Sequence, residues 1–123
     1  MKEQFNEMMD AIEKNLTNCP WAKNITTEEY YKEIIEEANE VKEAVEKKDY
    51  ENLKEELGDL LWDVLMLTKL CEKEGYFKSK EIMEGIIKKM KNRKPFIFEN
   101  RTVTLEEGRK IWNEAKAKEK RKR

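Results

Sequence analysis

Apolar residues recur along most of the chain at intervals of three and four, the spacing that places side chains on one face of an α-helix. Phe5, Met8, Met9, Ile12 and Leu16 predict a first helix from about Glu3 to Leu16. It should break at Thr17-Asn18-Cys19-Pro20-Trp21. Thr26, with Glu29 three residues later, is a capping-box signature that opens a second helix, running through Val45 and stopping near Lys48-Asp49. Asp49 is placed to cap a third helix, which continues to about Glu74 and ends at Gly75. Ser79 opens a fourth with the stripe Ile82, Ile86, Ile87 and Met90, and Pro95 stops it because proline cannot continue the hydrogen-bond ladder. Phe96-Ile97-Phe98 reads as a short extended stretch. Thr104 and Glu107 form another capping signature before a last helix carrying Leu105, Ile111 and Trp112. The pattern predicts an all-α fold, a bundle of antiparallel helices, as a single domain over residues 1–123.

The second and third helices carry an unusual arrangement of acids. If Ile34, Ala38, Val41 and Val45 form the apolar stripe of the second, Glu37 lies about 60° and Glu40 about 120° to one side of it. If Leu53, Leu57, Leu60 and Val64 form the stripe of the third, Glu56 and Asp59 fall at the same offsets of about 60° and 120°. Glu33 and Asp63 lie between the members of their respective pairs. Farther along the same flank of the third helix come Leu67 and Leu70, so the acids interrupt an apolar surface. In an antiparallel hairpin the four carboxylates can face one another, and no Lys or Arg stands between the members of either pair. Gly58, mid-helix at a cost of about 1 kcal/mol relative to Ala, would let another backbone or a ligand approach them. The competing reading is that both pairs are solvated faces of Glu/Lys-rich helices.

Composition narrows the chemistry. The 26 Lys and Arg nearly balance the 27 Asp and Glu, for a net charge of −1, so the whole molecule shows no nucleic-acid or membrane footprint. Charged residues are 43% of the chain against about 25% in ordinary domains, and Gly and Pro are scarce, as suits helices. There is no histidine. That removes Ser-His-Asp and Cys-His catalysis, an imidazole base and most catalytic zinc sites. Oxygen ligands alone suit a hard cation, Mg²⁺ or Mn²⁺. Cys19 and Cys71 form no Cys-x-x-Cys pair and read as reduced thiols. The acidic first residues lack a signal peptide's apolar core, and the run Leu60 to Leu70 is short of the roughly 20 residues of a membrane span. The expectation is a cytoplasmic protein with no membrane and no specific nucleic-acid partner.

Glu36-Glu37-Ala38-Asn39-Glu40 followed by Glu56-Leu57-Gly58-Asp59-Leu60-Leu61 resembles the signature of the MazG-like nucleoside triphosphate pyrophosphohydrolases, an all-α family. Cys19-Pro20-Trp21 is similar to the family's Cys-Pro-Trp-Asp entry segment, with Ala22 in place of Asp. Arg93-Lys94-Pro95-Phe96-Ile97-Phe98 resembles its Arg-His-Pro-His-Val-Phe segment, with Lys94 and Phe96 replacing both histidines. Trp112-Asn113-Glu114-Ala115-Lys116 resembles its terminal Trp-x-x-x-Lys helix. The similarity runs from about Cys19 to Lys120. It implies that Glu37, Glu40, Glu56 and Asp59 bind Mg²⁺ and that water attacks the α-phosphorus of a nucleoside triphosphate, giving a monophosphate and pyrophosphate. Lys89 and Arg93 would contact phosphates, Trp112 would offer an aromatic surface near the base, and Lys116 would add positive charge. Glu36 is a candidate to orient or deprotonate the water, although it points about 160° away from Ile34, toward the polar side.

Three expectations remain. Leu53, Leu57, Leu60, Leu61, Trp62, Val64, Leu65, Leu67 and Leu70 cover most of the third helix, which suggests burial on several sides and a bundle completed by a homodimer or tetramer. Trp21 and Trp62 read as core or interface. The basic run from Lys116 to Arg123 reads as a frayed, solvated tail. Two other functions fit parts of the pattern: an α-helical phosphohydrolase selective for dUTP or dCTP, and a non-enzymatic helical interaction protein.

Overall fold

The structure is a computed structural model and describes residues 1–122. Among these residues seven helices follow one another: α1 (Lys2–Asn18), α2 (Pro20–Asn24), α3 (Thr27–Glu46), α4 (Tyr50–Lys73), α5 (Ser79–Arg93), α6 (Pro95–Phe98) and α7 (Leu105–Arg121). Among the described residues there is no strand. The chain clusters into two compact units, Met1–Ser79 and Lys80 onward. None of the described helices is long and apolar enough to cross a membrane.

In the first unit, local chemistry sets the helix ends largely where the sequence predicts. Thr26 and Glu29 complete their capping box, the Thr26 amide donating to Glu29 Oε1 at 3.3 Å while the Thr26 side chain accepts from the Glu29 amide. Asp49 Oδ1 accepts from the Asn52 amide at 3.2 Å and starts α4. Only Lys47, Lys48 and Asp49 separate α3 from α4, so the two must run antiparallel. Lys48 takes the left-handed conformation (φ 57°) that turns the chain. Gly75, also left-handed at φ 85°, closes α4 as a C′ residue. Pro20 is the first residue of α2, a short helix in a segment expected to be only a break.

The core of this unit lies toward the open end of the α3–α4 pair, away from its turn. Ile12, Ala22, Tyr30, Leu65, Met66 and Leu70 are buried together, with Phe5, Met8, Leu16, Trp62 and Leu67 packed around them. Lys69 fastens α4 to α1 through Glu13 at 2.9 Å. Glu74 Oε1 accepts from the Thr27 amide at 2.9 Å, so the end of α4 satisfies an orphan donor at the start of α3. Trp62 is half-buried against the core as expected, whereas Trp21 is exposed, with its ring 6.0 Å from that of Tyr30.

The stripe phase differs from the expectation. On α3 the buried residues are Tyr30 and Ala44, with Glu37 half-buried midway between them; Ala38 and Val45 are exposed. Tyr30, Glu37 and Ala44 recur every seven residues, which makes them the seam of a helix pair. On α4 the corresponding line runs through Glu56, Leu60, Asp63, Leu67 and Leu70, while Leu57, Leu61 and Val64 are exposed. Glu37 and Glu56 therefore lie on the packing seam itself, not on its flank, while Glu40 and Asp59 are exposed beside it.

In the second unit, α5 buries no residue, and Ile82, Met83, Ile86 and Ile87 are exposed along it. Residues 95–98 are a helical turn, not the extended stretch expected: Pro95 fits the first position of a helix, and Phe96 O accepts from the amides of Glu99 and Arg101. Thr104 caps α7 by accepting from the Glu107 amide at 3.1 Å. The basic run expected to be a frayed tail is helical through Arg121, because no Gly or Pro interrupts it and cations suit a helix C-terminus. Arg123 lies outside the described residues.

Candidate metal centre

The antiparallel seam brings carboxylates from α3 and α4 against one another. Glu37, Glu56 and Asp59 each place one oxygen so that the three lie within 4.8 Å of each other. Glu37 and Glu56 are half-buried, and each has one oxygen, Oε2, that is buried and meets no hydrogen-bond donor. A carboxylate oxygen removed from water without a partner costs free energy that packing must offset. Glu40 is exposed and stands outside this trio at its rim, where the neighbouring Glu56 shifts its carboxyl. Among the described residues no Lys or Arg forms an ion pair with any of the four.

The electrostatics record the crowding. Loss of hydration raises the Glu37 carboxyl above its usual range; a hydrogen bond with Glu56 opposes this, and the charges of Glu40, Asp59 and Asp63 add to it. Glu40 is raised by its hydrogen bond with Glu56 and by that residue's charge. For Glu56 the bond with Glu40 lowers the pKa. The bond with Glu37, lost hydration and the charges of Glu37 and Asp59 outweigh it, so the net direction is upward. Three acids thus hold protons more tightly than in water, and among the described residues no cation pairs with them.

Below this group sits a carboxylate that is satisfied. Asp63, 9% exposed, accepts a 2.7 Å hydrogen bond from the Tyr30 hydroxyl. Burial raises Asp63, with Tyr30 opposing and Asp59 adding; burial and then the bond to Asp63 raise the Tyr30 hydroxyl strongly. The pair braces α3 against α4 one turn from Asp59. Glu36 is exposed and stands outside the group, as its angular position suggested. Gly58 leaves open space: nothing lies within 4 Å of where a Cβ would be.

The second unit gathers the remaining predicted residues around the ends of α5 and α7. The Arg93 guanidinium lies 4.9 Å from the Trp112 ring centroid, and Lys94 Nζ lies 5.5 Å from it. Trp112 is half-buried and lines a cavity of about 460 Å³ with Phe96, Val103, Leu105 and Gly108. Lys89 and Arg93 line one neighbouring cleft; Lys116 and Arg93 line another. Glu119, not singled out in the sequence, lines both. It follows Trp112 and Lys116 at the i+7 and i+3 positions of one face of α7, which was the available signal. Tyr30 and Asp63, 33 residues apart, carried no comparable signal.

Comparison with known proteins bears on the family and the fold. The family model described as the MazG nucleotide pyrophosphohydrolase domain matches residues 25–98. The chain is 39% identical over 82 residues to the uncharacterized protein YabN of Bacillus subtilis, an alignment covering 67% of this chain and 17% of that protein. It is 30% identical over 115 residues to the nucleoside triphosphate pyrophosphohydrolase of Escherichia coli K12, covering 89% of this chain and 44% of that one. The chain thus spans less than half the length of the curated relatives it matches. The crystal structure of a mazG-related protein from Thermotoga maritima superposes with a TM-score of 0.86 at 32% identity, covering 91% of this chain and 98% of that one.

Proposed function

The chain belongs to the MazG nucleotide pyrophosphohydrolase domain family, and from that premise we propose that it hydrolyses nucleoside triphosphates to a monophosphate and pyrophosphate with the help of a divalent cation. The observation that carries this reading is the pair of orphaned oxygens, Glu37 Oε2 and Glu56 Oε2, buried on a helix seam beside Asp59 with no protein donor near them. A solvated face of a Glu/Lys-rich helix has no reason to bury such atoms. The donor set is oxygen only, which fits Mg²⁺ or Mn²⁺ better than zinc. Mg²⁺ holds its ligands at about 2.0–2.1 Å, so oxygens already within 4.8 Å of one another need only a small inward movement.

Glu37, Glu40, Glu56 and Asp59 would hold the cation. It would neutralise phosphate charge and acidify water at the site. The raised carboxyls mean that binding it must release protons, so affinity should climb with pH through the mildly acidic range. Tyr30 and Asp63 fix the separation of α3 and α4, and hence the spacing of the four acids. Lys89, Arg93 and Lys116 would bind phosphate oxygens, with Trp112 offering an aromatic face to the base. Glu36, exposed beside Glu37, is the carboxylate free to orient or deprotonate the attacking water. With no histidine in the chain, that task falls to a carboxylate or to water activated by the cation.

The exposed residues Leu57, Leu61 and Val64 on one face of α4 support a homodimer or tetramer in which this face is covered. The free thiols of Cys19 and Cys71, together with a nucleotide substrate, favour a reducing cytoplasmic location. The test of function is an Mg²⁺-dependent release assay over the standard and several modified nucleotides, reading pyrophosphate and phosphate separately. Pyrophosphate release that disappears with a chelator supports the reading. Release of single phosphate would change the reaction assigned, and no release from any nucleotide would overturn it. Selectivity for dUTP or dCTP would appear in the same assay.

A further inference from the structure

Arg93 is held unusually firmly for a residue expected to meet a diffusing anion. Its side chain is 14% exposed. Nη2 donates to Glu119 Oε2 at 2.8 Å and Nε to Glu119 Oε1 at 3.4 Å, so the Nε edge of the guanidinium forks onto one carboxylate. The Trp112 ring covers the guanidinium at 4.9 Å. Asn92, the neighbour of Arg93 on α5, donates its side-chain amide to Glu119 Oε1 as well. Glu119 is thus fixed by two residues of α5 and in turn fixes one of them. These bonds leave the Nη1 edge of Arg93, together with the outer hydrogen of Nη2, available to another acceptor.

Arg93 lines a cleft of about 580 Å³ together with Lys88, Lys89, Asn92, Glu119 and Lys122. A second cleft of about 330 Å³, with Lys116 and Lys120, also meets Arg93 and Glu119. Among the described residues Glu119 is the one carboxylate lining either, and its acidity is increased first by Arg93 and then by Asn92. A carboxylate in a cleft meant for phosphates is electrostatically unfavourable to the ligand. Its retention there needs a return, and the fork geometry supplies one: a planar guanidinium clamped on one edge and stacked on one face has lost its rotamer freedom before the ligand arrives.

We infer that Glu119 is a positioning residue for the triphosphate: it clamps the Nε edge of Arg93 against Trp112 so that the Nη1 edge is presented to the phosphate oxygens. This rests on the phosphate-binding role given to Arg93 in the proposed function. It also makes a prediction opposite in sign to simple charge counting. Removing a negative charge from a basic cleft should tighten polyanion binding, whereas losing a clamp should weaken it.

The experiment compares Glu119→Gln, Glu119→Ala, Arg93→Ala and the double variant Arg93→Ala/Glu119→Ala with the wild type in steady-state pyrophosphate release. Their helicity and unfolding midpoints serve as controls for folding. Glu119→Ala is expected to raise KM about tenfold with kcat changed less than about twofold, the size of one charge-assisted hydrogen bond. Glu119→Gln, which keeps an acceptor for Nη2, should recover part of the loss, and the double variant should bind no worse than Arg93→Ala alone. KM that is unchanged or lower in Glu119→Ala would show Glu119 to be a bystander or a competitor of the phosphates, and would overturn the inference. So would additive losses in the double variant. If the wild type releases no pyrophosphate from any nucleotide, the functional reading fails; calorimetric titration with inorganic tripolyphosphate then decides the role of Glu119 by the same ordering of affinities.

Discussion

Along the α3–α4 hairpin, two groups of carboxylates of the same chemical type are treated in opposite ways. Near the open end, Glu74 accepts from the Thr27 amide and Glu72 from the Ser79 amide; both carboxyls are lowered below their usual range, first by hydrogen bonding to the side chains of Thr27 and Ser79 and then to these amides. Halfway along, Glu37, Glu40 and Glu56 are raised, and two of their oxygens are buried without a donor. The first group stabilises helix ends. The second costs stability in the metal-free chain, because its charges repel one another and lose hydration. The same Glu side chain is structural where an amide faces it and a candidate ligand where only other acids do.

The comparison should break most visibly in activity. Replacing Glu56 and Asp59 together by Gln and Asn is expected to reduce pyrophosphate release by more than about a hundredfold, beyond the usual effect of losing one supporting partner around a metal. Glu74→Gln should leave the rate within about twofold, since its contact is with Thr27. Equal losses from the two changes would erase the distinction between the groups.

Stability should separate them next, with opposite signs. In chelator, Glu37→Gln is expected to raise the thermal midpoint by about 3 °C by removing a crowded charge, and Glu74→Gln to lower it by about as much. Differential scanning calorimetry reads both. A smaller effect of the same origin is the pH dependence. The raised acids destabilise the fold while ionised, so their cost is present above their folded pKa values and is relieved as pH falls from neutral toward about 4.3. Glu72 and Glu74 behave conversely: their contribution is present above about 4.3 and is lost as pH falls through their lowered values. Metal-free protein should therefore be most stable in the mildly acidic range, and Glu37→Gln should flatten its approach from neutral pH. The smallest effect on activity concerns Thr26→Ala, which should leave the rate unchanged while costing about 1 kcal/mol of stability through the lost cap.

Much of the hairpin was legible because it is encoded locally. Thr26 with Glu29, Asp49 and Gly75 each act within a few residues of themselves, and each marks the boundary it was expected to mark. The four acids were also legible as an interruption of apolar spacing. Their phase was not, because the sequence pattern counts every surface that is apolar, and this chain leaves Leu57, Leu61 and Val64 exposed. Placing Leu57 and Val64 on the intramolecular stripe rotates the helix and puts Glu37 and Glu56 on a flank. Phe96-Ile97-Phe98 was misread because aromatic and β-branched residues favour strands, while Pro95 starts a helical turn just before them. The Tyr30–Asp63 and Arg93–Glu119 pairs join residues 33 and 26 positions apart, a tertiary relation that helical spacing alone does not contain.

The central claim is that the mid-hairpin acids are a cation site rather than a solubilising surface. Isothermal titration of Mg²⁺ into the wild type and the Glu56→Gln/Asp59→Asn variant tests it directly. The expected result is saturable binding accompanied by proton release at mildly acidic pH in the wild type, and neither in the variant. Identical titrations for the two proteins would contradict the account.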